Sequence, residues 1–393
     1  MPSIKHKKAI SVFDILASSA SGRIIFLKLV DHSIGFLIIM FIQGSLLFKP
    51  QRAGIIPEKI KNVLIIRPGG IGDAVWLVPL IRVLKQKTGC SIDVLCERRN
   101  KAVFDLCRDH LRHIWMYDVQ GWKLIKELTS QNYDCVIDTE QFHYFSAILA
   151  YLTSSPCRIG FDTVPCRSKI YTHKVSYSQE AQEYRMFLDL FNVLLLIKLE
   201  EYLPQMVLDL SKTEIPRDLK GHRYITVYIG ASVKERYWGK VKFAQLCKEL
   251  IGLDFKVVLV GGKEDIKKSA EIKAFFNNDQ TIDLVGRISL AETVAVLKEG
   301  LVAVGADSGI MHLACAVNCP SVWLFGAGIE RKWLPQYSRH ESINLHLDCS
   351  PCTLFGYTQR CPYDVRCLKE ISVPHVVDKI KILLKRSSNE PLR

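Results

Sequence analysis

Residues 63–86 read VLIIRPGGIGDAVWLVPLIRVLKQ. The β-branched run VLIIR (63–67) halts at a proline and a glycine-rich turn, and an apolar helical stretch then runs to about Lys87. Strand, loop and helix recur in that order downstream. IDVLC (92–96), HIWMYD (113–118) and CVIDTE (135–140) are further strand candidates, with helical patterns between them. A polar stretch with a proline, SKTEIPRDLKGHR (211–223), breaks the series, which restarts with YITVYIG (224–230), FKVVLVGG (255–262), IDLVG (282–286), LVAVGAD (301–307) and PSVWLFG (320–326). Such alternation predicts parallel sheets covered by helices. Two doubly wound α/β domains with a cleft between them are the expected architecture, and ligands in such sheets sit at the carboxyl ends of the strands.

Composition agrees. The chain has 393 residues, 48% of them hydrophobic and 24% charged, which suits two or three folded domains and excludes disorder or a multi-span membrane protein. The net charge is +13, and residues 1–61 concentrate nine Lys or Arg against three Asp or Glu. No dense arginine tract or aromatic-interleaved basic repeat points to nucleic acid, so the acidic partner expected is a phospholipid surface or a phosphorylated glycan. Thirteen cysteines cannot all pair within the chain, and nine are scattered singly, which suits a reducing cytosol.

The most apolar part of the chain is RIIFLKLVDHSIGFLIIMFIQGSLLF (23–48). Lys28, Asp31 and His32 share one helical face, so its first half reads as amphipathic. Residues 33–48 carry no charge, yet 16 residues diluted by Gly35, Gln43 and Gly44 fall short of the roughly 20 that cross a bilayer core. Lys5, Lys7 and Lys8 precede it, and Lys49 and Arg52 follow. The expectation is an amphipathic helix lying on an anionic leaflet; a true span and a helix packed on the protein itself are the alternatives.

Three loops after strands carry the chemistry. In the first, Gly69, Gly70 and Gly72 allow a tight turn and close approach to a ligand, and Asp73 opens the helix. Asp73 reads either as a cap or as a carboxylate able to take a proton from a substrate hydroxyl. The second, GASVKERYW (230–238), holds Ser232, Lys234 and Arg236, the two cations within reach of phosphate oxygens. After VLVGG, Glu264 and Asp265 are candidates for a ribose hydroxyl or for a helix cap. The third, VGADSGIMHLACAVNCPSVWLFG (304–326), ends a strand at Asp307 and begins a helix at Ser308 and Gly309, an anion site suited to a diphosphate. His312 lies one turn further, either toward the same ligand or packed in the core.

The Gly72–Asp73 loop, GASxxxRxW, Gly-Gly-x-Glu-Asp (261–265), VGRISLAET (285–293) and ADSGIMHLA (306–314) occur in order, and together they resemble the heptosyltransferase family, glycosyltransferase family 9. The resemblance spans roughly residues 62–385 and is most specific at DSGxxHLA. It implies a GT-B fold of two facing Rossmann-like domains. The implied organisation is a basic segment with a membrane-associating helix (1–61), an acceptor domain (62–215), a nucleotide-sugar domain (223–370) and a carboxyl-terminal helix and tail (371–393). The implied reaction is inverting transfer of heptose from ADP-heptose to the lipopolysaccharide inner core. Asp73 matches the family's general base, Ser308 and Gly309 its diphosphate turn, and Asp307 its sugar contact; Ser232, Lys234, Arg236 and His312 fall to the donor side and Glu264 to the nucleoside. The family often has Lys where this chain has Arg236, a non-equivalent replacement that leaves the donor's identity open.

No cofactor is expected for catalysis. Cys349, Cys352, Cys361 and Cys367 form a cluster whose CxxC start suits structural zinc or iron, as in relatives that glycosylate autotransporter proteins; packing by reduced thiols is the alternative. The expected location is the cytoplasmic face of the bacterial inner membrane. A different nucleotide-sugar, a protein acceptor, a UDP-sugar epimerase and a non-catalytic nucleotide-sugar scaffold are the competing functions.

Overall fold

The computed structural model describes residues 15–16, 22–48, 56–195, 213–276, 279–335, 339–354 and 356–389. The chain divides into two compact units. The first comprises Met1–Pro204 with Leu354–Tyr357, and the second Gln205–Thr353 with Thr358–Arg393.

The first unit is built on β1 (Asn62–Arg67), β2 (Ser91–Cys96), β3 (His113–Met116), β4 (Cys135–Asp138), β5 (Cys157–Asp162) and β6 (His173–Ser176). The second is built on β7 (Tyr224–Tyr228), β8 (Lys256–Val260), β9 (Thr281–Asp283), β10 (Val302–Ala306), β11 (Ser321–Phe325) and β12 (His340–Asn344). Spatial order is β3-β2-β1-β4-β5-β6 in one sheet and β12-β11-β10-β7-β8-β9 in the other. All recorded strand pairs are parallel, with β1 aligned to β4 from Val63–Cys135 to Ile66–Asp138. In the second sheet β7 aligns with β10 from Ile225–Val302 to Val227–Val304. Both sheets therefore have one topology, and each reverses direction once, between β1 and β4 and between β7 and β10. Crevices at the carboxyl ends of strands open at such switch points.

The nine strands read from apolar runs are all present. Burial explains the legibility of the central ones: Val63, Leu64, Ile65 and Ile66 are buried on both faces, as a central parallel strand requires. The remaining three, β5, β6 and β12, carry no such run. HKVS and HESIN are edge strands, half-solvated, while CRIGFD spends Arg158 on the carbonyls of Ile170 and Ser155.

Helices named below are α1 (Gly22–Val30), α2 (Phe36–Phe48), α3 (Ile71–Thr88), α4 (Tyr144–Leu152), α5 (Glu183–Leu195), α6 (Lys240–Gly252), α7 (Gly309–Ala316) and α8 (Val373–Asn389). The carboxyl-terminal helix α8 lays Val376, Val377, Ile380 and Leu383 into the core of the second unit, a stripe at helical spacing.

The amino-terminal helix departs from expectation in its orientation. A π turn, Asp31–Gly35, joins α1 to α2, so 22–48 is one helical rod. Its polar face turns toward the unit's own interior: Asp31 is buried and Lys28 lies 3.5 Å over the Tyr357 ring. Ile39 and Ile42 pack into the same core. Outward face Phe26 (64% exposed), Leu37 (66%) and Phe41 (79%), with Ile34 and Met40. Among the described residues no helix is long and apolar enough to cross a membrane. The flanking cations Lys5, Lys7, Lys8, Lys49 and Arg52 lie outside the described residues.

Candidate active site

In the first unit the switch point brings the end of β1 beside the end of β4. Arg67, the last residue of β1, is 3% exposed and its Nη2 lies 3.0 Å from Asp73 Oδ2 and 3.4 Å from Glu140 Oε2. Its Nε donates to Pro68 O (2.7 Å) and its Nη1 to Thr139 O (2.8 Å). A buried guanidinium so placed can have only one orientation. Burial alone would lower its pKa, but Asp73, Glu140, Glu183 and Asp138 outweigh that and raise it, so the cation is permanent.

Asp73 stands in the first turn of α3, where the helix's unpaired amides favour a carboxylate. Gly70 is the residue before the helix and supplies no side-chain cap, and Gly72 is in the first turn. Gly69 has φ +109°, and a Cβ there would lie 3.2 Å from Arg67 Nη2, so this turn needs glycine for conformation and for room. Asp73 is a partly exposed carboxylate paired with the buried Arg67.

The corresponding point of the second unit joins the loop after β7 to the end of β10. Arg236 closes a short 3-10 turn, Lys234–Arg236, and its Nη1 lies 3.3 Å from Asp307 Oδ2. Its Nε is buried and meets no acceptor among the described residues, which leaves a donor for a ligand oxygen. Burial raises the Asp307 pKa, with Arg236 opposing. Gly328 packs on this carboxylate: a Cβ there would fall 2.2 Å from Asp307 Oδ2. Ser308 precedes α7 in extended conformation (φ −163°, ψ 165°), its hydroxyl beside that of Tyr228, and Gly309 is the first helical residue. The first amides of a helix have no intrahelical partner, so they face this turn as anion donors.

The other second-unit candidates divide. Ser232 and Lys234 are exposed on the same loop as Arg236. Glu264 is exposed after β8, whereas its neighbour Asp265 is buried and accepts from Gly262 N and Lys268 Nζ, the capping alternative. His312 is 3% exposed, set edge-to-face against Trp323 and Trp333, with Nε2 4.0 Å from Asp307 Oδ1. Burial, then Arg236, lowers its pKa to about 3, so it is a neutral packing residue behind Asp307.

The structure gives the metal expectation no support. Burial pushes the Cys352 thiol up to about 12, and Cys367, Cys361 and Cys349 act in the same direction, so the four are close. Among the described residues no group of three or more His, Cys, Asp or Glu could hold a metal ion. Cys361 Sγ instead accepts the Tyr363 and Val365 amides at 3.4 and 3.3 Å, and Cys367 is buried near Gly326. All four are free thiols, Cys367 buried and the other three partly buried.

Arg67 and Glu140 were not among the expected site residues. Arg67 ends β1 and Glu140 lies two residues past the end of β4, which is a signal, but only the strand order reveals that the two places adjoin.

The chain is similar to known proteins over most of its length. The family model described as glycosyltransferase family 9 (heptosyltransferase) matches residues 121–360. Lipopolysaccharide heptosyltransferase 1 of Campylobacter coli is 24% identical over 296 residues, covering 68% of this chain and 84% of that protein. Lipooligosaccharide heptosyltransferase 2 of Haemophilus influenzae is 27% identical over 289 residues, 67% of this chain and 83% of its own. The solved structure of the Escherichia coli ADP-heptose lipopolysaccharide heptosyltransferase II has the same fold, with a TM-score of 0.63 and 22% identity over 83% of this chain and 99% of that one. With well over half its length matched by the family model, and both sheets ending in the charged pairs just described, the chain belongs to glycosyltransferase family 9, the heptosyltransferases, and is a glycosyltransferase.

Proposed function

We propose that this enzyme transfers a heptose from ADP-heptose to a hydroxyl of the lipopolysaccharide inner core, with inversion at the anomeric carbon. The observation that carries the proposal is the charge arrangement at the two switch points: a carboxylate held by Arg67 at one, and a cationic, amide-rich turn at the other. Asp73 takes the proton of the acceptor hydroxyl as its oxygen attacks C1, and the C1–O bond to the diphosphate breaks. The negative charge that develops on the departing ADP is met by Arg236, Lys234 and the amides of α7. Asp307, beside Arg236, accepts from sugar hydroxyls, and Glu264 from the nucleoside. The relatives' printed names support lipopolysaccharide as acceptor and ADP-heptose as donor.

The test is incubation of the full chain with ADP-heptose and a truncated core lipid, read by mass spectrometry for one added heptose and by NMR for anomeric configuration. Retention of configuration removes the single displacement. Turnover only with a UDP- or GDP-sugar, or only onto protein, replaces the donor or the acceptor.

The same reading places the enzyme on the cytoplasmic leaflet, with a lipid surface covering the outward face of α1 and α2. Supporting it are the apolar side chains turned away from the unit while Lys28 and Asp31 point inward, and the basic residues that flank the segment in sequence. Burying a leucine and a phenylalanine contributes about 1.5–3 kcal/mol each at most. Leu37→Asp/Phe41→Asp is therefore expected to weaken binding to phosphatidylglycerol-containing vesicles at least about tenfold, with turnover of a water-soluble acceptor retained. Undiminished vesicle flotation by the double variant rules the surface out.

A further inference from the structure

The π turn, Asp31–Gly35, sets the amino-terminal rod directly against the start of α4. A Cβ on Gly35 would lie 2.8 Å from the Cβ of Tyr144, so only glycine permits this approach. Asp31, 8% exposed, accepts the Phe145 amide on Oδ1 (2.8 Å) and the Tyr144 amide on Oδ2 (3.1 Å), with His143 Nδ1 3.0 Å from Oδ2. His143 precedes α4 and supplies no side-chain cap of its own. The open amides of α4 are thus satisfied by a carboxylate from more than a hundred residues upstream, which also opposes the helix dipole.

That cap acts on the loop leaving β4, residues 139–143. Glu140 Oε1 accepts the Gln141 and Phe142 amides, and Oε2 approaches Arg67, the residue that holds Asp73. Arg167 ties the same loop from its other side, donating to His143 O (2.9 Å) and Glu140 O (2.6 Å). A continuous path of polar contacts therefore runs from Asp31 through 140–143 and Arg67 to Asp73.

We infer that Asp31 is a positioning residue for the transfer reaction: by capping α4 and pairing with His143 it fixes the 139–143 loop so that Glu140 and Arg67 aim the Asp73 carboxylate. The inference rests on Asp73 being the base. It also makes the rod that carries the lipid-facing side chains part of the scaffold of that base.

The pair has a defined pH range. Burial would raise the Asp31 pKa, but His143 and the Phe145 and Tyr144 amides outweigh it, and the carboxyl is held below its usual range. Burial would lower the His143 pKa, but Glu140 and Asp31 outweigh it, with Lys28 opposing them, and it stands above its usual range. The contribution of Asp31 is full above the ordinary carboxylate value of about 4, that of His143 below the ordinary histidine value of about 6.5. As pH rises through the elevated His143 value the attraction is lost. The charged groups facing His143 are Asp31 and Lys28 from the rod and Glu140 from its own loop, and Lys28, lowered to about 8 first by burial and then by Arg99, loses its charge at the upper end.

The experiment compares Asp31→Ala, Asp31→Asn and Asp73→Asn in the full chain, using ADP-heptose and a water-soluble core acceptor. Asp31→Ala is expected to lower kcat about tenfold or more, as small misplacements of a reacting group do, with donor KM and vesicle binding unchanged. Asp31→Asn keeps an oxygen for an α4 amide but not the charge. It should recover part of kcat and move the alkaline fall of kcat to lower pH, a shift that a merely structural role does not produce. A folded Asp31→Ala with full kcat overturns the inference. If that variant does not fold, wild-type kcat and an unmoved alkaline limb in Asp31→Asn overturn it. Full turnover in Asp73→Asn instead removes the base assignment itself, so the two failures are distinguishable.

Discussion

Asp73→Asn is expected to lower kcat by ~10²–10⁴-fold, the usual worth of general-base assistance, while ADP still raises the melting temperature as in the wild type. The substitution is nearly isosteric, and the amide oxygen can still accept from Arg67 Nη2, so the turn and α3 keep their geometry. What disappears is the site that receives the proton. Donor affinity is unaffected because the cation and amides assigned to the diphosphate belong to the second unit, which has its own sheet and its own core. A parallel fall in ADP binding would mean that the substitution had disturbed the fold. Unchanged kcat would remove Asp73 from the mechanism.

The second large effect is expected at Arg236. Arg236→Ala removes a charge-assisted contact to the diphosphate, worth ~1.5–3 kcal/mol, which is about a 10- to 100-fold rise in donor KM. It also leaves Asp307 without its ion-pair partner in a buried position, where burial already raises its pKa. The Asp307 carboxyl then moves further toward its protonated form, and sugar hydroxyls lose an acceptor. Arg236→Lys restores charge but not the planar fork that reaches Asp307 and a phosphate oxygen together, so it should fall between the two. Titration of each variant with ADP by calorimetry checks the order. Equal ADP affinity in all three would place the diphosphate elsewhere.

Much of the frame was legible because it is local. A strand buried on both faces must be an apolar run, and VLIIR, KVVLV and SVWLF satisfy that without help from the rest of the chain. The same holds for the two turns that follow a strand with Gly-Asp or Asp-Ser-Gly, since a helix start and its amides are made by neighbours in sequence. The edge strands β6 and β12 escaped because HKVS and HESIN hold too few apolar residues to form a run, which their partly solvated places allow. The cysteine spacing suggested ligation, yet spacing does not specify where four thiol groups point, and Cys361 for one accepts two backbone amides.

The sequence by itself determined that this chain forms parallel α/β sheets with a carboxylate after one strand and an Asp-Ser-Gly helix start after another, for each is written within a few consecutive residues. Only the tertiary structure decided what those groups meet. Arg67 and Glu140, like Arg236 and Asp307, lie about 70 residues apart and become partners because each sheet reverses direction between the strands that carry them. In the amino-terminal rod Asp31 turns inward to cap α4 while Phe26, Leu37 and Phe41 face outward, a disposition that no local pattern specifies. Coulomb attraction and desolvation depend on distance through space, and that distance exists only once the strands have been ordered.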